Sequence, residues 1–307
     1  LSMRCAVTGG AGFIGSNLAE RLADENDVVI IDDLSKGKIK NIEGIGAEFI
    51  KGSITDLDLL KKAFAEVDCV FHMAAIASVQ SSVENPLETN SVGVEGTLNV
   101  LMASRYAGVK KVVFSSSASV YGQSPELPKR EDMRLDPKSP YAVSKLTGEY
   151  YCKVFEELYG LNSTVLRYFN VYGPKQDPSS EYSGVISRFV FNILKGEVPV
   201  IYGDGEQTRD FVYVQDVVNA NILASRSNES GIFNIASGRS ISLNQLADMI
   251  GRTLCRDIKP KHIDPRPGDI RDSLADISKA KQIGYVPSFA MESGLADCIE
   301  YFKGILD

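Results

Sequence analysis

The stretch Thr8-Gly9-Gly10-Ala11-Gly12-Phe13-Ile14-Gly15 decides the fold. It follows a short apolar run at residues 3–8 and opens a helical pattern of Phe13, Ile14, Leu18 and Leu22. Glycines at positions 9, 12 and 15 allow a tight turn and let the backbone approach a diphosphate. A helix N-terminus at that point offers free N–H groups and partial positive charge. A second apolar run, residues 27–32, ends in Asp32, seventeen residues after Gly15. A carboxylate there binds both ribose hydroxyls and repels a 2′-phosphate, so the spacing predicts NAD in preference to NADP.

Outward from this loop the same rhythm continues. Buried-strand runs at 47–50, 68–72, 111–115 and 163–168 alternate with helical patterns at 56–65, 86–107 and 140–159. β-Branched runs between amphipathic helices predict βαβ units and a parallel sheet covered on both faces. The rhythm breaks after Pro174. A helix at 185–194 precedes short strands at 198–201 and 210–213 around the turn Gly203-Asp204-Gly205. Residues 232–235 read as one more sheet strand, with helices at 243–254 and 291–302. The expected fold is a doubly wound parallel α/β sheet with a smaller interleaved α/β lobe. Residues 3–173 are expected to bind the dinucleotide, joined by 231–255, and residues 174–307 mainly to form the substrate-binding lobe.

Composition bounds the function. The chain has 307 residues, 44% hydrophobic and 24% charged, an ordinary globular balance. A net charge of −7 lacks the basic footprint of a nucleic-acid binder. Five scattered cysteines and two histidines, none at ligand spacing, give no expectation of a metal site or redox pair. Leu1-Ser2 reads as an added remnant and is set aside. No apolar stretch is long enough to span a bilayer, and no signal peptide is read, so a soluble, cytoplasmic protein is expected.

A second stretch, Ser139-Pro140-Tyr141-Ala142-Val143-Ser144-Lys145, starts a helix. Ser139 suits the N-cap and Pro140 the first helical position. Tyr141 and Lys145 then share one face, four residues apart. Taken alone, such a pair is most simply a packed ring under a lysine stem.

With TGGAGFIG, HMAA (72–75), FSSSASVYG (114–122), YAVSK (141–145), RYFNVYGP (167–174), RDFVYVQD (209–216) and RPGD (266–269), nearly the whole chain from Met3 resembles the extended short-chain dehydrogenase/reductase family. Its likeness is to nucleotide-sugar epimerases of the UDP-glucose 4-epimerase type, built on a Rossmann sheet. The resemblance implies Tyr141, Lys145 and Ser117 as catalytic residues. Tyr141 would take a proton from a sugar hydroxyl, with Lys145 and the nicotinamide charge lowering its pKa from the usual ~10. Ser117 would hold the reacting oxygen, while Ser115 and Ser116 suit capping or strand-end roles better. A 4-keto sugar would form by hydride transfer to NAD and be reduced again on its other face.

The resemblance further implies NAD contacts at Gly9, Gly12, Phe13, Ile14, Gly15, Asp32, Ser53, Ile54, Met73, Ala74, Ala75, Ser115, Tyr168 and Phe169, besides Tyr141 and Lys145. Substrate contacts are expected at Ser117, Ser119, Asn170, Arg209, Arg266, Asp269 and Ser273. The arginines suit a diphosphate, and the implied partner is a UDP-sugar. Helices 86–107 and 140–159 resemble the face through which the family forms homodimers.

Departures from the family pattern carry information. Ser53 stands where an adenine-contacting Asp is common, and Gly93 where Asn is common. Ser273 is small at a position where large side chains restrict the site to UDP-glucose and UDP-galactose, so 2-acetamido sugars are expected to fit. The Asp-Glu pair of related dehydratases is Ala118-Ser119 here, with no acid or base to offer. A decarboxylase and a non-catalytic NAD-binding protein are the remaining alternatives.

Overall fold

Six strands in the first half of the chain, β1 (Arg4–Thr8), β2 (Asp27–Asp32), β3 (Glu48–Lys51), β4 (Cys69–His72), β5 (Lys111–Ser117) and β6 (Ser163–Tyr168), form one sheet with a seventh, Gly231–Ile235. The computed structural model describes residues 2–178, 184–265 and 270–306. The order is β3-β2-β1-β4-β5-β6 followed by Gly231–Ile235, and every pairing is parallel. Strand order therefore reverses between β1 and β4, and a crevice opens there at the carboxyl ends.

The pleat explains the layers. Val28 and Ile30 of β2 point to one face, where they pack with Leu18, Leu22, Phe71 and Val217. Val29 and Ile31 point to the other, with Val70, Leu101, Phe114 and Phe155. Helices α1 (Phe13–Ala23), α2 (Leu57–Ala63), α3 (Val79–Glu84), α4 (Pro86–Asn90), α5 (Gly96–Ala107) and α6 (Pro140–Tyr159) belong to this part of the chain. The second half adds α7 (Val185–Leu194), α8 (Val214–Arg226), α9 (Leu243–Leu254) and α10 (Met291–Leu306). α7, α9 and α10 enclose a separate core around Phe189, Leu246, Leu295 and Phe302. Three short ladders complete it: Asn170–Tyr172 with Phe211–Tyr213, Val200–Tyr202 with Lys261–Ile263, and Thr208–Arg209 with Ile241–Ser242. No helix among the described residues is long and apolar enough to cross a membrane.

Two expected elements differ. The single helix expected over 86–107 is α4, a π-helical turn Ser91–Glu95, and α5. The apolar pattern runs through the turn, so periodicity does not reveal it. Gly93 sits in it against α6, where a Cβ would come 2.7 Å from Ser144 Oγ. An Asn at that position would have no room. The strand expected over 210–213 begins at Phe211, and Asp210 lies between it and Thr208–Arg209, its carboxylate in a buried hydrogen-bond hub.

Candidate active site

The glycine loop is a cradle that side chains would fill. Gly9 has a left-handed φ of +70°, and a Cβ there would lie 2.7 Å from the Ala74 amide nitrogen. At Gly15 a Cβ would lie 2.2 Å from the Gly9 carbonyl oxygen. Gly12 starts α1 with no side-chain cap, which leaves the helix N-terminus to an anion, with Phe13 and Ile14 in its first turn. Asp32 closes the far side, 7% exposed, its Oδ1 accepting from Leu34 N (2.8 Å) and its Oδ2 from Ala11 N (2.9 Å). Burial raises this carboxyl, and the Leu34 and Ala11 amides oppose the rise. Bare backbone, a free helix end and an oriented carboxylate suit a dinucleotide. Ser53 Oγ lies 2.9 Å from Thr55 Oγ1, and Ile54 packs against Gly96. Asp56 caps α2 through Leu59 N (2.9 Å), so it is committed to that helix rather than to a ligand.

Behind the loop lies a buried relay. Thr97 Oγ1 donates to the Gly93 carbonyl (2.7 Å), so it accepts from His72 Nε2 (2.9 Å). Thr8 Oγ1 then donates to His72 Nδ1 (2.8 Å) and accepts from Met73 N (3.2 Å) and Ala74 N (3.3 Å). Burial, aided by the Lys145 charge, lowers the imidazole to about 3, so the ring is neutral. Met73, Ala74 and Ala75 continue from it, partly buried, along the crevice.

The end of β5 meets α6. Ser139 caps α6 by accepting from Ala142 N (3.1 Å), with Pro140 in its first turn. Lys145 Nζ donates to the Ser115 carbonyl (2.7 Å), and the Ser117 side chain is near enough to Tyr141 to oppose the rise of its phenol. Ser115 Oγ lies 2.8 Å from Met73 Sδ and 3.2 Å from Tyr168 Oη. Ser115 and Ser116 lie near the end of β5, the strand-end role expected of them, while the capping role falls to Ser117, whose Oγ accepts from Ser119 N (3.2 Å). Ser119 Oγ is buried without a hydrogen-bond partner among the described residues.

The expected lowering of the Tyr141 pKa meets an opposing effect. Burial raises the Tyr141 phenol above its ordinary value, and only the Ser117 side chain opposes it. The Lys145 ammonium, 5.8 Å from the Tyr141 ring centre, is itself lowered to about 8 by burial, against the pull of Glu149. Burial of the site therefore favours the neutral phenol, and the nicotinamide charge that the expectation also invokes would act against it.

The remaining expected residues divide. A cavity of about 400 Å³ is lined by Asn170, Arg188, Tyr202, Gln207, Arg209 and Phe211 among others. It reaches neither Tyr141, Lys145 nor Ser117. Phe169, buried against Tyr121, precedes Asn170 in the chain and joins the two regions. Arg209 Nη1 donates to the Thr208 carbonyl (2.8 Å), and Ser273, half-buried, donates its N–H to the same oxygen (3.1 Å). Arg266 and Asp269 lie outside the described residues.

Sequence reasoning missed the anchors. Asp210, fully buried, accepts from Ser237 N (2.9 Å), Ser237 Oγ (2.7 Å), Gly238 N (3.1 Å) and Ala275 N (3.2 Å). Its own carbonyl accepts from Asn170 Nδ2 (3.1 Å). Glu149 and Arg167 form a buried fork-to-fork pair at 2.6 and 2.9 Å. A charge inside the apolar run 163–168 was the available signal for that pair. Tyr121 is core: its hydroxyl donates to Asn234 Oδ1 (2.6 Å) and accepts from Arg167 (3.0 Å).

Comparison with known proteins gives concordant matches. Residues 5–236 match the family described as NAD dependent epimerase/dehydratase. The UDP-glucose 4-epimerase of Mycolicibacterium smegmatis is 41% identical, over 98% of this chain and 99% of that one. The structure of UDP-N-acetylglucosamine 4-epimerase from Methanobrevibacter ruminantium, solved with UDP-N-acetylmuramic acid, superposes with a TM-score of 0.97 at 44% identity, over 99% of both chains. That of UDP-glucose 4-epimerase from Thermotoga maritima, solved with UDP-glucose, gives 0.95 at 41% identity, over 99% of this chain and 100% of that one.

Proposed function

The chain belongs to the NAD dependent epimerase/dehydratase family, and from that premise we propose that it is a UDP-sugar 4-epimerase that interconverts UDP-galactose and UDP-glucose and also takes the N-acetylhexosamine pair. The observation that carries the reading is the meeting of Tyr141 with Ser117, and of Lys145 with Ser115, beside a glycine cradle closed by Asp32. When bound, NAD supplies a hydride acceptor and donor, and a positive charge near the phenol. The glycine loop, the α1 N-terminus and Asp32 would hold it, with Met73, Ala74, Ser115 and Tyr168 along the crevice.

Tyr141 would act as the phenolate, which the bound nicotinamide's charge and Lys145 favour: it takes the proton of the sugar 4-hydroxyl, becomes the neutral phenol, and returns that proton to the same oxygen when the keto group is reduced. Lys145 holds a positive charge that favours the phenolate as it forms. Ser117 orients the reacting oxygen, and Ser119 Oγ, buried and unpartnered, is a further donor for the sugar. Arg209 and Arg266 hold the diphosphate, and Asn170 and Asp269 complete the nucleotide side. Ala118 and Ser119 supply no acid–base pair, which disfavours dehydration.

Four finer points belong to the same proposal. Ser273 leaves room for a 2-acetamido group, as the Methanobrevibacter relative's substrate supports. Residues 3–173, with 231–255, bind NAD, and 174–307 mainly bind substrate. The exposed apolar residues Val83, Leu87, Tyr150 and Leu158 on α3, α4 and α6 support a homodimer through helices 86–107 and 140–159. Five free thiols, four of them buried, suit a reducing, cytoplasmic setting.

Proton NMR of the anomeric region, with NAD-loaded protein and UDP-galactose, tests the reading. UDP-glucose should appear with no net consumption of NAD. Untouched UDP-galactose and UDP-N-acetylgalactosamine would sink it.

A further inference from the structure

Three consecutive serines at the end of β5 meet three side chains spaced four apart on α6. Ser117 meets Tyr141, Ser115 meets Lys145, and Ser116 Oγ donates to Glu149 Oε1 at 2.5 Å. The first two contacts concern groups assigned to the chemistry. The third touches neither substrate nor cofactor, yet it is the most heavily built.

Glu149 is 4% exposed and Arg167 1%. Arg167 Nε and Nη2 donate to the two carboxylate oxygens at 2.9 and 2.6 Å. Ser116 and Arg167 are register partners across β5 and β6, so Glu149 spans both strands from above. The helix lies close on this seat: a Cβ at Gly148 would lie 2.4 Å from the Phe114 ring. A buried ion pair is poor value as a stabiliser, because its desolvation cost roughly cancels its attraction. Stability therefore gives no reason for the pair.

We propose that Glu149 is a positioning residue for the reaction: it fixes the register of α6 on β5 and keeps a balancing negative charge one turn behind the Lys145 ammonium. This rests on the 4-epimerase reading of Tyr141 and Lys145. The titratable groups around that pair are His72 on β4, Tyr168 on β6, and Tyr141 and Glu149 on α6 itself. His72 and Tyr168 are neutral at pH 7, for burial lowers the first to about 3 and raises the second to about 12, and burial favours the neutral phenol at Tyr141. Glu149, with Arg167 behind it, bears charge. Its field opposes the burial that lowers Lys145 to about 8.

The test compares NAD-loaded wild type with Glu149→Gln, which preserves shape and removes charge. The basic limb of the kcat–pH profile, set by Lys145, should move down by about one pH unit. At pH 8 kcat should fall about fivefold, while KM for UDP-galactose and NAD affinity hold. A uniform fall of kcat with an unmoved limb would make Glu149 merely structural and overturn the proposal. Carbon-13 NMR of labelled lysines follows the Lys145 titration directly and should show the same downward shift. A wild type that turns over no UDP-sugar would sink the epimerase reading, and this titration would still decide the claim about Glu149. Should Glu149→Gln fail to fold, Glu149→Met with Arg167→Met removes both charges and must also lower the Lys145 titration.

Discussion

Thr8 Oγ1 donates to His72 Nδ1 across 2.8 Å, and Thr97 Oγ1 accepts a hydrogen bond from the opposite nitrogen, Nε2. The ring is thereby locked neutral between β1 and α5. Its pKa is lowered from 6.5 to about 3 by burial. The unfolded chain takes up this proton near pH 6.5 and the folded chain does not. Stability from His72 is thus present above pH 6.5 and is lost as pH falls toward 3, at up to about 1.4 kcal/mol per pH unit. Urea midpoints between pH 7 and 4 should fall less steeply for His72→Gln than for wild type. Equal slopes would show that the imidazole does not govern acid stability.

Gly15→Ala should disable the cofactor cradle. Its methyl would press to 2.2 Å from the Gly9 carbonyl, which is backbone and cannot swing aside. Overpacking of this kind costs about 1–3 kcal/mol, and the loop shift should weaken NAD at least about tenfold. Calorimetric titration with NAD measures it; wild-type affinity would mean that the loop yields freely.

Ser273→Tyr should narrow the substrate range. Ser273 lies half-buried on a strap hydrogen-bonded to the Thr208 carbonyl at 3.1 Å, next to Arg209. A phenol there should reduce turnover of UDP-N-acetylgalactosamine about a hundredfold or more and leave UDP-galactose within a few-fold. Parallel loss of both substrates would place the gate elsewhere.

Lys145→Met should stabilise the protein while stopping turnover. Burial lowers the Lys145 ammonium from 10.5 to about 8. Charging it in the folded state costs on the order of 3 kcal/mol, fully felt below pH 8 and lost as pH rises toward 10.5. The variant should melt above wild type at pH 7, and the gap should shrink steadily between pH 8 and 10.5. A gap independent of pH would assign the effect to packing alone.

What the sequence reveals is what is local. The glycine loop, Asp32 at the end of β2, the N-cap at Ser139 and the Tyr141–Lys145 spacing each sit within one turn or one strand. Their residue types state their geometry. The anchors are not local. Glu149 finds Arg167 eighteen residues away, and Asp210 finds Ala275 sixty-five away. The π turn hides because Val92 and Leu98 continue the apolar pattern through it. The direction of the Tyr141 shift depends on how dry the crevice is. Charge spacing along a helix carries no information about that.

The Asp210 hub also ties the two parts of the molecule into one mechanical unit. Its four donors come from segments 27 to 65 residues downstream. Three of them, from Ser237 and Gly238, come just after Gly231–Ile235, which pairs with β6 at the edge of the sheet. The carbonyl of the same residue accepts from Asn170, which lines the cavity with Arg209. A displacement of that sheet edge is therefore transmitted to the wall of the cavity through a single residue.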